Sequence, residues 1–169
     1  MLLHLKDLIA KEKSVHMKES LDLSSLLKDR QDLRSFGLLE AELEAKGTSG
    51  MVEVTGELTL DVEMSCSRCL DPVRETLSIP FRELFAGSAE LLPAEEVDDA
   101  HIVTEDKVEL TPYLEEAVVL ALPYAPLCGE ECQGLCPVCG SNRNDNPCEC
   151  KVERIDPRLA GLADFFKQP

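Results

Sequence analysis

The residues with chemistry to offer are eight cysteines in four pairs: Cys66/Cys69 in CSRC, Cys128/Cys132 in CGEEC, Cys136/Cys139 in CPVC and Cys148/Cys150 in CEC. Six of them fall within the 23 residues from Cys128 to Cys150. Zinc takes four thiolates in a tetrahedron, and two cysteines across a tight turn supply two adjacent corners. Eight thiols therefore suffice for two Zn2+ ions. Closed four-thiolate sites leave no coordination position for a substrate, so the metal is expected to be structural. CSRC and CPVCG both have the form of a zinc knuckle. Pro137 stiffens the second turn, and Gly140 lets backbone amides turn toward sulfur at little steric cost.

Two pairings of these knuckles are open. In the favoured one, Cys136, Cys139, Cys148 and Cys150 form a local site, because the eight residues between Cys139 and Cys148 (Gly140, three Asn and Pro147 among them) make a compact loop. Cys128 and Cys132 then reach back to Cys66 and Cys69. In the rival pairing CSRC joins CPVCG directly. The single residue between Cys148 and Cys150 makes them an unusual ligand pair.

Other thiol chemistries compete with zinc. Four thiolates also hold iron–sulfur clusters, and spacing alone does not separate the two. Disulfides fit poorly, since the opening MLLHLKDLIAKEK has its apolar run broken by His4, Lys6 and Asp7 and resembles an export signal only weakly. The expected location is a reducing cytoplasm. A redox dithiol at CSRC, the alternative function, lacks the βαβ surroundings of such motifs. No nucleophile motif, phosphate loop or HExxH is present, and His4, His16 and His101 read as surface residues. The chain is expected not to be an enzyme.

The formal charge is −16 across 169 residues. Thirteen acids and one base, Lys107, lie between Glu83 and Glu131. With two bound zinc ions and eight thiolates the charge becomes about −20. Such a surface argues against sequence-independent nucleic-acid binding, DNA included. A small basic patch around Arg68, Arg74, Arg143 and Lys151–Arg158 is the one place where local RNA contact is conceivable. No apolar run approaches the roughly 18 residues that would cross a membrane.

The elements that must position the cysteines are legible in part. MVEVTGELTLDVEM alternates from Val52 to Met64, the mark of a strand with one buried face, and Gly56 on that face suggests a bend or bulge. VRETLSIPFRELF alternates again after CSRCLDP, so CSRC belongs at a hairpin turn. LLEAELEA (38–45) and LHLKDL fit helix and strand about equally, and 11–34 is ambiguous. GSAELLPAEEVDDA reads as a mobile acidic loop, followed by a strand at HIVTEDKVEL. Thr111 as N-cap and Pro112 at the first helical position open a helix that stops before Pro123. DPRLAGLADFFK carries Leu159, Leu162, Ala163 and Phe166 on one helical face. The expected fold is α+β: an antiparallel, barrel-like β-sheet with a few helices and a C-terminal Cys-rich arm. It forms one domain, with a body over 1–125, a zinc arm over 126–152 and a terminal helix over 153–169.

CSRCLDPV after a long alternating strand, then LTPYLEEAVVLALPYAPLCGEECQGLCPVCGSNRNDNPCEC, then DPRLAGL, resemble the YceD family in order and spacing from about Met51 to Leu162. The resemblance implies a cytoplasmic, non-enzymatic factor that supports 23S ribosomal RNA accumulation and large-subunit assembly. Its implied partners are a large-subunit precursor or a ribosomal protein. The resemblance supplies no mechanism and does not establish direct RNA contact.

Overall fold

In a computed structural model of the chain, residues 1–48, 50–88, 90, 92 and 100–151 are described. Most of the acidic loop over 87–100 and the expected C-terminal helix over 153–169 lie outside them. The central element is a hairpin of two 15-residue strands, β5 (Met51–Ser65) and β6 (Pro72–Ala86), in unbroken antiparallel register from Met51↔Ala86 to Ser65↔Pro72. Alternation explains it: Val52, Val54, Leu58, Leu60, Val62 and Met64 are all buried, while Glu53, Glu57 and Asp61 face the other side. Cys66–Asp71 occupy the turn.

The outer edge of β5 is covered in two stages. β4 (Leu39–Thr48) pairs with Met51–Thr59, and β3 (Leu33–Phe36) pairs with Val62–Met64, with a register shift between Leu33 and Ser35. LLEAELEA is thus a strand, because Leu39, Ala41, Leu43 and Ala45 bury every second side chain. β2 (Ser14–Leu21) adds antiparallel to β4. On the far side β7 (Ala100–Ile102) pairs parallel with Leu84–Ala86. The order β2-β4-β5-β6-β7 leaves β2 and β7 as separate edges, so the sheet is open. The barrel-like expectation is corrected on that point.

Gly56 makes no bulge, contrary to expectation. It stays in register with Leu43 and Phe81, and a Cβ there would lie 2.1 Å from the Glu42 carbonyl oxygen. Close approach of two backbones, and not curvature, requires the glycine.

One sheet face is polar and the other carries the core. Over the core face lie α1 (Leu5–Lys11), a two-stranded ribbon of β1 (Leu2–His4) with β8 (Lys107–Glu109), and α3 (Thr111–Ala121). α2 (Ser24–Leu27) is one turn that buries Leu27. LHLKDL therefore resolves into both of its competing readings, two residues of strand followed by helix. HIVTEDKVEL is two short strands, since β7 joins β6 while β8 leaves to pair with β1.

α3 buries Leu114 and Val118, with Leu122 just beyond its end, and Tyr113 meets Phe85 edge-on at 5.1 Å. His101 fills the gap beside them. Its ring lies 4.6 Å from Tyr113, and its Nε2 is 2.8 Å from a Glu83 carboxylate oxygen. This histidine is a half-buried packing residue and not a purely surface one. Thr111 does not cap α3: the N-cap is Leu110, and the Thr111 hydroxyl instead accepts from the N-terminal ammonium at 3.2 Å.

Candidate metal centre

The hairpin projects CSRC beyond the sheet, and the chain returning from α3 wraps around it. Pro126 is buried and its carbonyl accepts from the Ser67 amide at 2.8 Å. The Leu135 amide donates to the Arg68 carbonyl at 2.9 Å. The Arg68 guanidinium reaches across to the carbonyls of Cys132 at 2.9 Å and Glu130 at 3.3 Å. Gly134, at φ +71°, lies against Arg68, where an added Cβ would sit 2.9 Å from the Arg68 carbonyl oxygen. These contacts lay the 126–136 segment across the knuckle.

The result is two groups of four thiols, each with all sulfurs within 4.8 Å of one another: Cys66, Cys69, Cys128 and Cys132, and Cys136, Cys139, Cys148 and Cys150. This is the division that sequence spacing favoured, and CSRC does not join CPVC. In the first group Cys66 lies 3.8 Å from Cys132, and Cys69 lies 3.5 Å from Cys128, sulfur to sulfur. A disulfide needs about 2.05 Å, and all eight cysteines are free. Four sulfurs about 2.3 Å from one ion stand about 3.8 Å apart on the edges of a tetrahedron. The donor set and its spacing fit a metal held by four thiolates.

Electrostatics point the same way. Burial opposes the Cys66 thiolate, but the amides of Cys69, Arg68 and Cys128 outweigh it and hold the thiol at about 6. The Asn144 side-chain amide, with Nδ2 3.4 Å from sulfur, lowers Cys132 against the cost of burial. Their partners move the other way. Cys69 is favoured as thiolate by the Asp71 amide, yet burial and the neighbouring thiols push it up; Cys128 rises chiefly through its contact with Cys132. In the second group Ser141 lowers Cys139, and the Cys150 amide brings Cys148 to about 6. Cys139 and Cys148 then push Cys150 up to about 12. Thiols this close share few negative charges alone; a divalent cation lets all four ionise.

Several supporting residues carried no signal in the spacing. Asn142 donates to an Asp71 carboxylate oxygen at 2.9 Å, tying the second loop to the first knuckle, while Asn144 serves both Cys132 and the Gln133 amide. Arg34 donates to the Leu70 carbonyl and, at 2.9 Å, to Ser65. Two members of the basic patch expected here have partners within the chain. Arg68 binds arm carbonyls and Arg74 bonds Glu63 at 2.6 Å, and residues 152–158 lie outside the described residues.

The sequence pattern of the family described as large ribosomal RNA subunit accumulation protein YceD matches residues 54–166. The chain belongs to the YceD family. The uncharacterized protein YlbN of Bacillus subtilis (strain 168) is 30% identical over 162 residues, covering 93% of this chain and 91% of YlbN. An uncharacterized protein of Mycobacterium tuberculosis, Rv2926c, is 37% identical over 131 residues, and one of Mycobacterium leprae is 33% identical over 130. Each mycobacterial match covers 76% of this chain but only 62% and 59% of the respective relative, so the chain spans less than two thirds of their length. No solved structure matches it. The YceD match begins within β5 and so includes both knuckles, the α3 helix and all eight cysteines. Among the described residues no helix is long and apolar enough to cross a membrane.

Proposed function

We propose that the protein is a cytoplasmic, non-enzymatic accessory factor that supports 23S ribosomal RNA accumulation and assembly of the large ribosomal subunit. The observation that carries this reading is the YceD match over the hairpin, helix and arm, whose description names ribosomal RNA accumulation. Two structural Zn2+ ions, one per four-thiol group, are part of the proposal. Held by four thiolates, each ion cross-links chain segments and presents no open position for catalysis. The first group joins residues 59 or more apart in sequence, the second only neighbours.

The factor works through a surface held rigid by the metal, in contact with a protein of the large-subunit precursor. An acidic chain is suited to a basic ribosomal protein and poorly suited to phosphate. The test is genetic and physical together. Deleting the gene should lower mature 23S RNA relative to 16S and accumulate large-subunit precursors, with the tagged protein co-sedimenting with them. Unchanged 23S levels with no co-sedimentation would reject the reading.

A second reading, thiol redox sensing, is favoured by one observation: Cys139 is exposed and Cys148 and Cys150 are half-buried. Under it, purified protein would show freely alkylated distal thiols that cycle with a dithiol reductant. Under the structural reading, those thiols stay protected until a chelator is added.

A further inference from the structure

We infer that the outward face of α3, with the strap that follows it, is a docking surface for a basic protein segment that inserts an apolar side chain. This deepens the assembly reading and rests on it only for where the partner is sought. α3 presents Leu114 and Val118 to the core, and among the described residues nothing is packed over its outward side. Val119 is 41% exposed, Leu120 78%, and Tyr124 is completely exposed. Single exposed apolar residues are ordinary, but Val119 and Leu120 on the last turn of α3 and Tyr124 just past its end make a short exposed stripe along the chain. No lysine or arginine occurs from Val108 to Asn142 to shield it with a long side chain.

Tyr124 is also held in place. The helix ends on a bond from the Leu122 amide to the Val118 carbonyl at 3.1 Å, and Pro123 follows. Two residues after Tyr124, Pro126 is buried and bonded to Ser67 of the first knuckle. The strap is therefore tethered at both ends, to the core helix and to the metal centre, with prolines limiting the backbone between. A backbone fixed in advance loses little entropy when its side chain binds, and tyrosine is enriched among residues that carry interface energy. The same tether gives the first metal centre a purpose: it fixes the strap.

Charge identifies the partner. The stripe is rimmed by Glu115 and Glu116 on the helix and followed by Glu130 and Glu131 on the arm. In the whole stretch from Glu83 to Glu131 the one base is Lys107. An apolar stripe set in acids selects a lysine- or arginine-rich segment with an apolar anchor and repels RNA.

The experiment uses the full zinc-loaded chain and the Leu120→Ser/Tyr124→Ser double variant. Both positions are solvent-facing, so the variant should fold and retain its zinc, checked by metal content and hydrogen exchange. The probes are the RNA-free protein fraction of the large ribosomal subunit, the equally basic small-subunit fraction, and purified 23S RNA. Supporting the inference, one large-subunit protein is identified, binds the purified chain, and loses tenfold or more in affinity with the variant. Charge reversal at Glu115 and Glu116 should weaken it further at low salt. If the protein binds but the variant binds equally well, the surface is wrong while the assembly reading stands. Binding to RNA alone overturns the partner class. A dimer abolished by the variant would assign the stripe to a second copy. Protection of Val119–Tyr124 that is lost when residues 152–169 are removed would assign it to the chain's own C-terminal segment. Binding to none of the probes overturns the inference.

Discussion

The two four-thiol groups are built from the same turn and placed in different surroundings. In each knuckle the amide after the second cysteine returns to the first cysteine's carbonyl: Leu70 to Cys66 at 2.9 Å, and Gly140 to Cys136 at 2.8 Å. Both of those residues take positive φ, +66° at Leu70 and +75° at Gly140. The proximal group sits on the end of a long hairpin, with Cys66, Cys69 and Cys132 buried and Cys128 exposed. The distal group buries only Cys136 and leaves Cys139 exposed. One joins remote parts of the chain and is shielded by Arg68, Asn144 and Pro126. The other closes its own loop. The same chemistry therefore has two structural meanings: the proximal centre is a bolt between body and arm, and the distal centre is a local clasp.

The largest expected difference comes from removing one ligand in each. Cys69→Ser should release the arm over 126–151 from the hairpin, cut zinc from two ions to one, and expose arm amides to hydrogen exchange while the β4–β6 sheet stays protected. Cys136→Ser should confine the loss to residues after about Gly134 and leave Ser67 protected. Equal, local effects of the two changes would break the comparison. The next effect is smaller. Asn144→Ala removes the amide on the Cys132 sulfur and should weaken proximal zinc about tenfold, as losing a group hydrogen-bonded to a metal ligand does, with the distal ion unaffected.

Acidity should act on both centres in the same direction. Cys66 and Cys148, held at about 6, are already thiolates at neutral pH, whereas Cys69 and Cys150 are pushed up and retain protons until metal displaces them. Zinc affinity therefore rises with pH through neutrality and is lost as pH falls below about 6, as competition titrations with a colorimetric chelator should show. The smallest effect concerns the turns. A non-glycine residue in the left-handed region costs about 1–2 kcal/mol, so Gly140→Leu should destabilise the distal clasp by about that much. Leu70→Gly should be neutral or stabilising by less than about 1 kcal/mol, since glycine's unfolded freedom offsets part of the relief. Denaturant midpoints of the zinc-loaded variants measure both.

Sequence periodicity read the hairpin and its turn because both strands bury alternate residues, and a period of two is hard to imitate. It did not decide LLEAELEA. The alternating apolar side chains there are small or shared with helix formers, and tertiary pairing with β5 made the choice. Thr111 satisfied every local rule for an N-cap, yet the N-terminal ammonium, 110 residues away in sequence, claimed its hydroxyl. Loop length favoured the division of the cysteines but left the pairing of CSRC with CPVCG open. Their environment was not legible, because Arg68 of the first knuckle meets the arm carbonyls, and Asn142 and Asn144 meet Asp71 and Cys132, only after folding.

The central claim is that the eight thiols form two separate centres, the proximal one bolting the arm to the hairpin. It is tested most directly by native mass spectrometry of the zinc-loaded chain during stepwise chelation, with alkylation mapping of each species. The account predicts two zinc ions, a one-zinc intermediate alkylated at Cys136, Cys139, Cys148 and Cys150 alone, and modification of Cys66, Cys69 and Cys132 only after the second ion leaves. A one-zinc intermediate modified at CSRC, or one with labels divided between the two groups, would contradict it.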